Sequence, residues 1–209
     1  MKKYRDHYFL QAKQDNYPAR SVYKLKEIDK RFRLFHAGQR VLDLGAAPGS
    51  WTLAAAERVG ETGLVIAADI QNTTTTFPRF VQFYQEDVFY RTPAFEALLC
   101  ESGPFDVVIS DMAPRTTGHR STDQARSAAL CEEALAVAIA HLKKGGNFVV
   151  KVFMGPDVKA YSEALRRSFG SVKSYKPASS RSESFETFYV ALGFKGLPAP
   201  DPGGEIIPE

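Results

Sequence analysis

From residue 40 onward the chain repeats one pattern: a short apolar run, a polar break, then apolar positions at helical spacing. Runs rich in β-branched and aromatic residues fall at RVLDLG (40–45), LVIAA (64–68), VQFYQ (81–85), FDVVIS (105–110), NFVVKVF (147–153), SVKSYK (171–176) and ETFYVAL (186–192). Each has the length and composition of a strand. Helical patterns lie between them over about 50–59, 125–142 and 157–169. The second is followed by Lys143, Lys144 and Gly145, the residue types that close a helix. Strands alternating with helices predict an α/β protein with a mostly parallel, seven-stranded sheet and helices on both faces. The last two strands leave no room for a helical crossover, so antiparallel pairing is expected there. Ahead of the sheet, Val22, Leu25 and Ile28 fall at helical spacing within 19–32, which predicts one more helix.

Composition adds boundaries to this picture. With 209 residues, 44% of them hydrophobic, the chain is long enough for one well-buried core. No apolar run approaches the roughly 20 residues that cross a bilayer. The start, MKKYRDHYFL, is basic but lacks the apolar stretch of a secretory signal. Cys100 and Cys131 make neither a disulfide framework nor a CxxC site, and His7, His36, His119 and His141 have no ligand spacing. A cytoplasmic, monomeric protein with no metal and no membrane contact is expected. Residues 1–40 carry eleven bases against four acids, a net +7, while the whole chain is only +3. Tyr4, Tyr8, Phe9, Tyr17 and Tyr23 are interleaved with those bases. Such a mixture suits a phosphodiester backbone with exposed bases, although a solvated helix with a few docked aromatics would look the same. Three segments follow: a basic helical one (1–35), the α/β domain (36–194) and a Pro/Gly-rich tail (195–209) expected to lack structure.

The stretch VLDLGAAPGSW (41–51) reads as strand, turn and helix start, with Gly45 and Gly49 in the turn. Glycine permits positive φ and close approach of a ligand. The nicotinamide-type GxGxxG is broken here, because Ala47 stands at the second glycine and Pro48 intervenes. Asp43, two residues before the first glycine, would repel a pyrophosphate and suits an ammonium group. Asp69 ends the next strand, where an acid can hold two ribose hydroxyls. Glu86 and Asp87 follow the third, placed to meet an adenine amino group. An acid after each strand fits S-adenosylmethionine, although any one of these acids could simply cap the following helix.

The reacting group is sought at the end of the fourth strand, in SDMAP (110–114). Met112 and Ala113 do not supply the Pro-Pro-aromatic platform of a base amino-methyltransferase, and neither cysteine sits where a pyrimidine C5 enzyme needs its nucleophile. An oxygen or amine acceptor with a nearby base remains. Asp111 and Lys151 both fall near carboxyl ends of strands, which border the ligand crevice of an open α/β sheet. A lysine amid Val150, Val152 and Phe153 can lose its proton through desolvation, or it can clamp two strands as an ion pair with Asp111.

DLGAAPGSW, SDMAP and VVKVF, with ARSVYKLKEID (19–29) and SSRSESFETFYV (179–190), closely resemble the FtsJ/RrmJ family of RNA ribose 2′-O-methyltransferases. The resemblance runs from about Tyr17 to Gly193 and implies a Rossmann-like, S-adenosylmethionine-dependent methyltransferase fold. It also implies a Lys-Asp-Lys-Glu tetrad of Lys24, Asp111, Lys151 and Glu186; Glu183, in the loop before the last strand, fits the final position less well. The family's cofactor contacts map onto Gly49, Trp51, Asp69, Asp87 and Asp111, beside Asp43 and Gly45 of the loop. Within the family the short form with a basic N-terminus resembles the group that methylates a uridine ribose of 23S rRNA in the large ribosomal subunit; a tRNA ribose methyltransferase would carry the same tetrad. Arg115 stands where an asparagine is usual, and Ser50 where a second glycine is common. Two other classes compete. A nicotinamide oxidoreductase would rest on the glycine loop and Asp69 alone. A non-catalytic RNA-binding module would explain the basic segment but predicts a broken tetrad.

Overall fold

Alternating apolar positions in the strands point to both faces of a central sheet, and the helices close over each face. The computed structural model describes residues 7–181 and 184–196. The expected tail lies outside the described residues from 197 onward, as do Lys2, Lys3, Tyr4, Arg5 and Glu183. In chain order the elements are α1 (His7–Gln14), α2 (Val22–Phe32), β1 (Arg40–Leu44), α3 (Ser50–Val59), β2 (Leu64–Asp69), β3 (Val81–Gln85), α4 (Pro93–Ser102), β4 (Phe105–Ser110), α5 (Arg120–His141), β5 (Leu142–Phe153), α6 (Val158–Ser168), β6 (Phe169–Tyr175) and β7 (Glu186–Phe194).

The seven strands lie in the order β3-β2-β1-β4-β5-β7-β6. Strands β1 to β5 pair in parallel, and β7 runs antiparallel between β5 and β6. The expected antiparallel pairing of the last two strands is therefore present, and β7 also inserts beside β5. The chain winds outward from β1 through β2 to β3, then returns to β4 on the other side of β1. That reversal makes a crevice at the carboxyl ends of β1 and β4, where open α/β sheets bind ligands.

Strand alternation sorts the core into two clusters. Leu42, Leu44, Val108 and Val150 pack with Leu99 of α4, Ala134 and Ala138 of α5 and Leu165 of α6. Val41, Val65, Val107 and Val149 pack with Val22, Leu25 and Ile28 of α2 and Ala55 and Val59 of α3. The boundary expected at residue 35 on grounds of charge has no counterpart in this packing. The apolar face of α2 completes the second cluster, because Lys26, Lys30 and Arg31 lie on its outer face and Lys24 turns toward Glu186.

Two details differ from the hydrophobic pattern. Helix α5 begins at Arg120, ahead of the expected residue 125, and Lys143 to Gly145 lie within β5 instead of closing the helix. Leu142 already pairs with Phe105, and the register shifts before Val107 meets Asn147, so strand pairing takes over at once. Helix α4 had no clear periodic signal; Thr92 caps it by accepting from Phe95 N–H, with Pro93 at its first position.

Candidate active site

The turn after β1 needs its first glycine. Gly45 has φ +79°, and a Cβ there would lie 2.4 Å from Met112 Cγ and 3.0 Å from Met112 Cα. Only a residue without a side chain lets the β1 and β4 loops meet so closely. Asp69, at the end of β2, accepts from Ala47 N–H at 2.8 Å and from Gln71 N–H at 2.7 Å, which ties the β1 and β2 loops together. Between these loops and those after β3 and β4 lies a cavity of about 440 Å³, within the range of small-molecule sites. Gly45, Asp69, Asp87, Asp111 and Lys151 line it, with Ile70, Phe89, Met112 and Ser21.

Three of the residues assigned to cofactor binding lie elsewhere. Asp43 is wholly buried behind the loop, where its Oδ2 accepts from the Thr52 hydroxyl at 2.7 Å and its Oδ1 has no partner. Burial raises its carboxyl to about 7 against the pull of that hydroxyl, helped by the charges of Asp111 and Asp69. Gly49 faces Phe77 and Thr75 instead of the cavity. Trp51 is buried, tilted against Phe188 with ring centroids 5.6 Å apart, and its indole N–H donates to Ser21 O at 2.9 Å. Its contribution is to hold the backbone of Ser21, which does line the cavity.

The far wall is built by β5, β7 and α2. Lys151 Nζ lies 3.0 Å from Asp111 Oδ1 and also donates to the Asp111 carbonyl. It is 8% exposed, so the pair sits at the floor of the cleft. Register pairs Lys151 with Phe188 and Phe153 with Glu186, two pairs further along, which brings Glu186 to the same face of the sheet as Lys151. Lys24 of α2 makes an ion pair with Glu186, and the Ser180 hydroxyl donates to the same carboxylate at 3.0 Å. Burial would raise the Glu186 carboxyl, but the hydrogen bond and charge of Lys24, with Lys151 and Ser180, hold it below the usual carboxylate range.

Helix α2 is held in place from two sides. Glu27 accepts from Ala178 N–H at 2.7 Å and Ser179 N–H at 2.9 Å, and Ala19 N–H donates to Ser50 Oγ at 2.7 Å. Lys24 therefore reaches Glu186 from a helix clamped to both the β6–β7 connection and the start of α3. A second, more open cleft of about 360 Å³ adjoins the cavity at Ser21, lined by Arg20, Lys24, Arg181, Ser184 and Glu186. Of the four residues that the resemblance implies as a tetrad, Lys151 and Asp111 thus line the cavity and Lys24 and Glu186 the cleft beside it. Ser21, Ser180, Phe89 and Arg181 escaped the sequence reading; Arg181 and Ser180 sit inside the quoted SSRSESFETFYV motif, but nothing in their spacing marks them.

A family model described as FtsJ-like methyltransferase matches residues 17–194. The chain belongs to the FtsJ-like methyltransferase family. Relatives named ribosomal RNA large subunit methyltransferase E are 71% identical over 95% of this chain and 96% of their own length in Oleidesulfovibrio alaskensis, and 56% identical over 93% and 98% in Lawsonia intracellularis. Among solved structures, a Plasmodium falciparum protein assigned as a ribosomal RNA methyltransferase superposes with a TM-score of 0.75 at 23% identity, over 87% of this chain and all of its own. At that identity the likeness is one of fold. Membership of the FtsJ-like family makes this protein a methyltransferase, with the cleft between β1, β4 and β5 as its candidate active site.

Proposed function

We propose that this enzyme transfers a methyl group from S-adenosylmethionine to a ribose 2′-hydroxyl of RNA, a uridine of 23S rRNA in the large ribosomal subunit. The observation that carries the reading is the junction of the two hollows. An acid-lined cavity of cofactor size adjoins a basic cleft at Ser21, with the Lys151–Asp111 pair lining the cavity and the Lys24–Glu186 pair lining the cleft. The large-subunit names of relatives at 71% and 56% identity support the choice of RNA.

The cavity fits the cofactor on its own terms. Gly45 lets the β1 and β4 loops close together on one side of the cavity, Asp69 retains lone pairs for ribose hydroxyls, and Asp87 and half-exposed Phe89 can meet a purine. When bound, S-adenosylmethionine supplies an electrophilic methyl on a sulfonium. The amine of Lys151 takes the proton of the 2′-hydroxyl, and Asp111 fixes the direction of that amine. Lys24 and Glu186 position the ribose beside it, and Arg20 and Arg181 give the cleft the charge for flanking phosphates. General-base help of this kind is worth roughly 10²–10⁴-fold, and alignment of the reacting atoms at least as much. The protein is read as a cytoplasmic monomer that needs no metal.

The test is transfer of tritiated methyl from S-adenosylmethionine to large ribosomal subunits and, separately, to bulk tRNA, both from cells lacking the enzyme. Label in the subunits, mapped to a 2′-O-methyluridine, is the expected result. Label in tRNA alone would keep the chemistry and overturn the substrate.

A further inference from the structure

Phe153 and Phe185 form an aromatic pair that neither core cluster uses. Their ring centroids are 4.7 Å apart at 69°, and Met154 N–H donates to Phe185 O at 3.0 Å, fixing one ring against the other. Both rings are only partly covered, and the exposed Arg120 guanidinium lies over the Phe185 ring, 5.6 Å from its centroid. The place of this group is what matters. Phe153 follows Lys151 by two residues on the same face of β5 and is the register partner of Glu186, and Phe185 immediately precedes Glu186. Apolar rings left out of the core, roofed by a planar cation and set two register pairs beyond the candidate catalytic lysine, have the chemistry of a stacking surface. Unpaired bases bind by stacking on aromatic rings and guanidinium planes.

We infer that Phe153, Phe185 and Arg120 form a seat for an unpaired RNA base adjoining the ribose that is methylated. The inference rests on the proposed ribose methylation. A ribose can approach Lys151 only if its nucleotide leaves the RNA stack, and a displaced base then gains by finding another planar surface. The seat supplies that surface on the rim of the acceptor cleft, away from the cavity proposed for the cofactor.

Two probes test it by equilibrium binding: a short oligouridylate and an abasic ribose-phosphate chain of the same length. The intact protein should prefer the oligouridylate by roughly 5- to 150-fold, the range of one stacked base. Arg120→Ala and Phe185→Leu should each erode that preference, Phe185→Trp should restore it, and S-adenosylmethionine affinity should stay within about twofold throughout. Arg120 is exposed, so its variant keeps the test valid even if Phe185→Leu folds poorly. Equal affinity of the intact protein for both probes, or an unchanged preference in Arg120→Ala and Phe185→Leu alike, would overturn the seat. Methyl transfer to large subunits is assayed in parallel. A protein that binds oligouridylate through the seat but methylates no RNA would refute the proposed function while supporting the seat.

Discussion

The cavity side of the cleft and its acceptor side are put together in different ways. Gly45, Asp69, Asp87 and Asp111 each follow or end one of the consecutive parallel strands β1 to β4, and backbone loops do most of the shaping. The acceptor side joins Lys24, from a helix that precedes the sheet, to Glu186, from the last strand in the chain. Its geometry depends on β7 entering antiparallel beside β5 and on Glu27 fastening α2 to the β6–β7 connection. Residues that share one structural rule define the first side. Long-range pairing defines the second, so damage should remain local on the cavity side and spread on the acceptor side.

The largest separation between the two sides is expected from Lys151→Met. Turnover should fall by roughly 10²–10⁴-fold, while calorimetric affinity for S-adenosylmethionine is retained; near-normal turnover would remove Lys151 from the mechanism. Lys24→Met comes next, because it leaves a mostly buried carboxylate without its main partner. A loss of about 3 kcal/mol in urea unfolding is expected, and adding Glu186→Gln should recover much of it. The sign of the pH dependence follows from the lowered Glu186 carboxyl. Held below its unfolded range, it stabilises the native state at neutral pH, and that stability is lost as pH falls through its folded range. The acid-side loss should shrink in Lys24→Met.

Gly45→Ala should act only on the cavity side. A left-handed residue with a Cβ costs about 1–2 kcal/mol of stability, and because that Cβ would strike the Met112 backbone, the β1 and β4 loops must part and S-adenosylmethionine affinity should fall. Unchanged affinity would mean that the β1 and β4 loops can part without consequence. A further effect, read only through pH, belongs to Asp43. Its carboxyl is raised to about 7, so the folded protein holds a proton that the unfolded chain releases near ordinary carboxylate values. Stability of the uncomplexed protein should therefore decline as pH rises from the carboxylate range to about 7. Urea midpoints of Asp43→Asn should lack that decline; a slope identical to that of the intact protein would mean that another group causes it.

Much of this was legible beforehand, and unevenly so. Strand positions from β1 to β7 followed from β-branched runs, since strand character is carried by a few adjacent residues. Asp43, Gly49 and Trp51 show the limit of that legibility on the cavity side. Their motif marks the loop correctly, yet spacing along the chain does not reveal which side chains turn toward the hollow and which brace it from behind. Lys24 and Glu186 entered through family resemblance, because nothing in either local sequence points to the other. Helix α4 and the early start of α5 depend on caps and loop contacts more than on periodicity.

The sequence by itself determined the alternation of strands and helices, the glycine turn with its acids at strand ends, and the basic character of the N-terminal segment. Each rests on neighbouring residues and on steric or charge rules that act at short range. Only the tertiary structure decided that α2 belongs to the core, that the Lys151–Asp111 and Lys24–Glu186 pairs line adjoining hollows, and that Arg120 lies over the Phe185 ring beside Phe153. Those relations depend on strand order and register, which are set by the packing of both apolar faces at once and are not written in any single stretch of the chain.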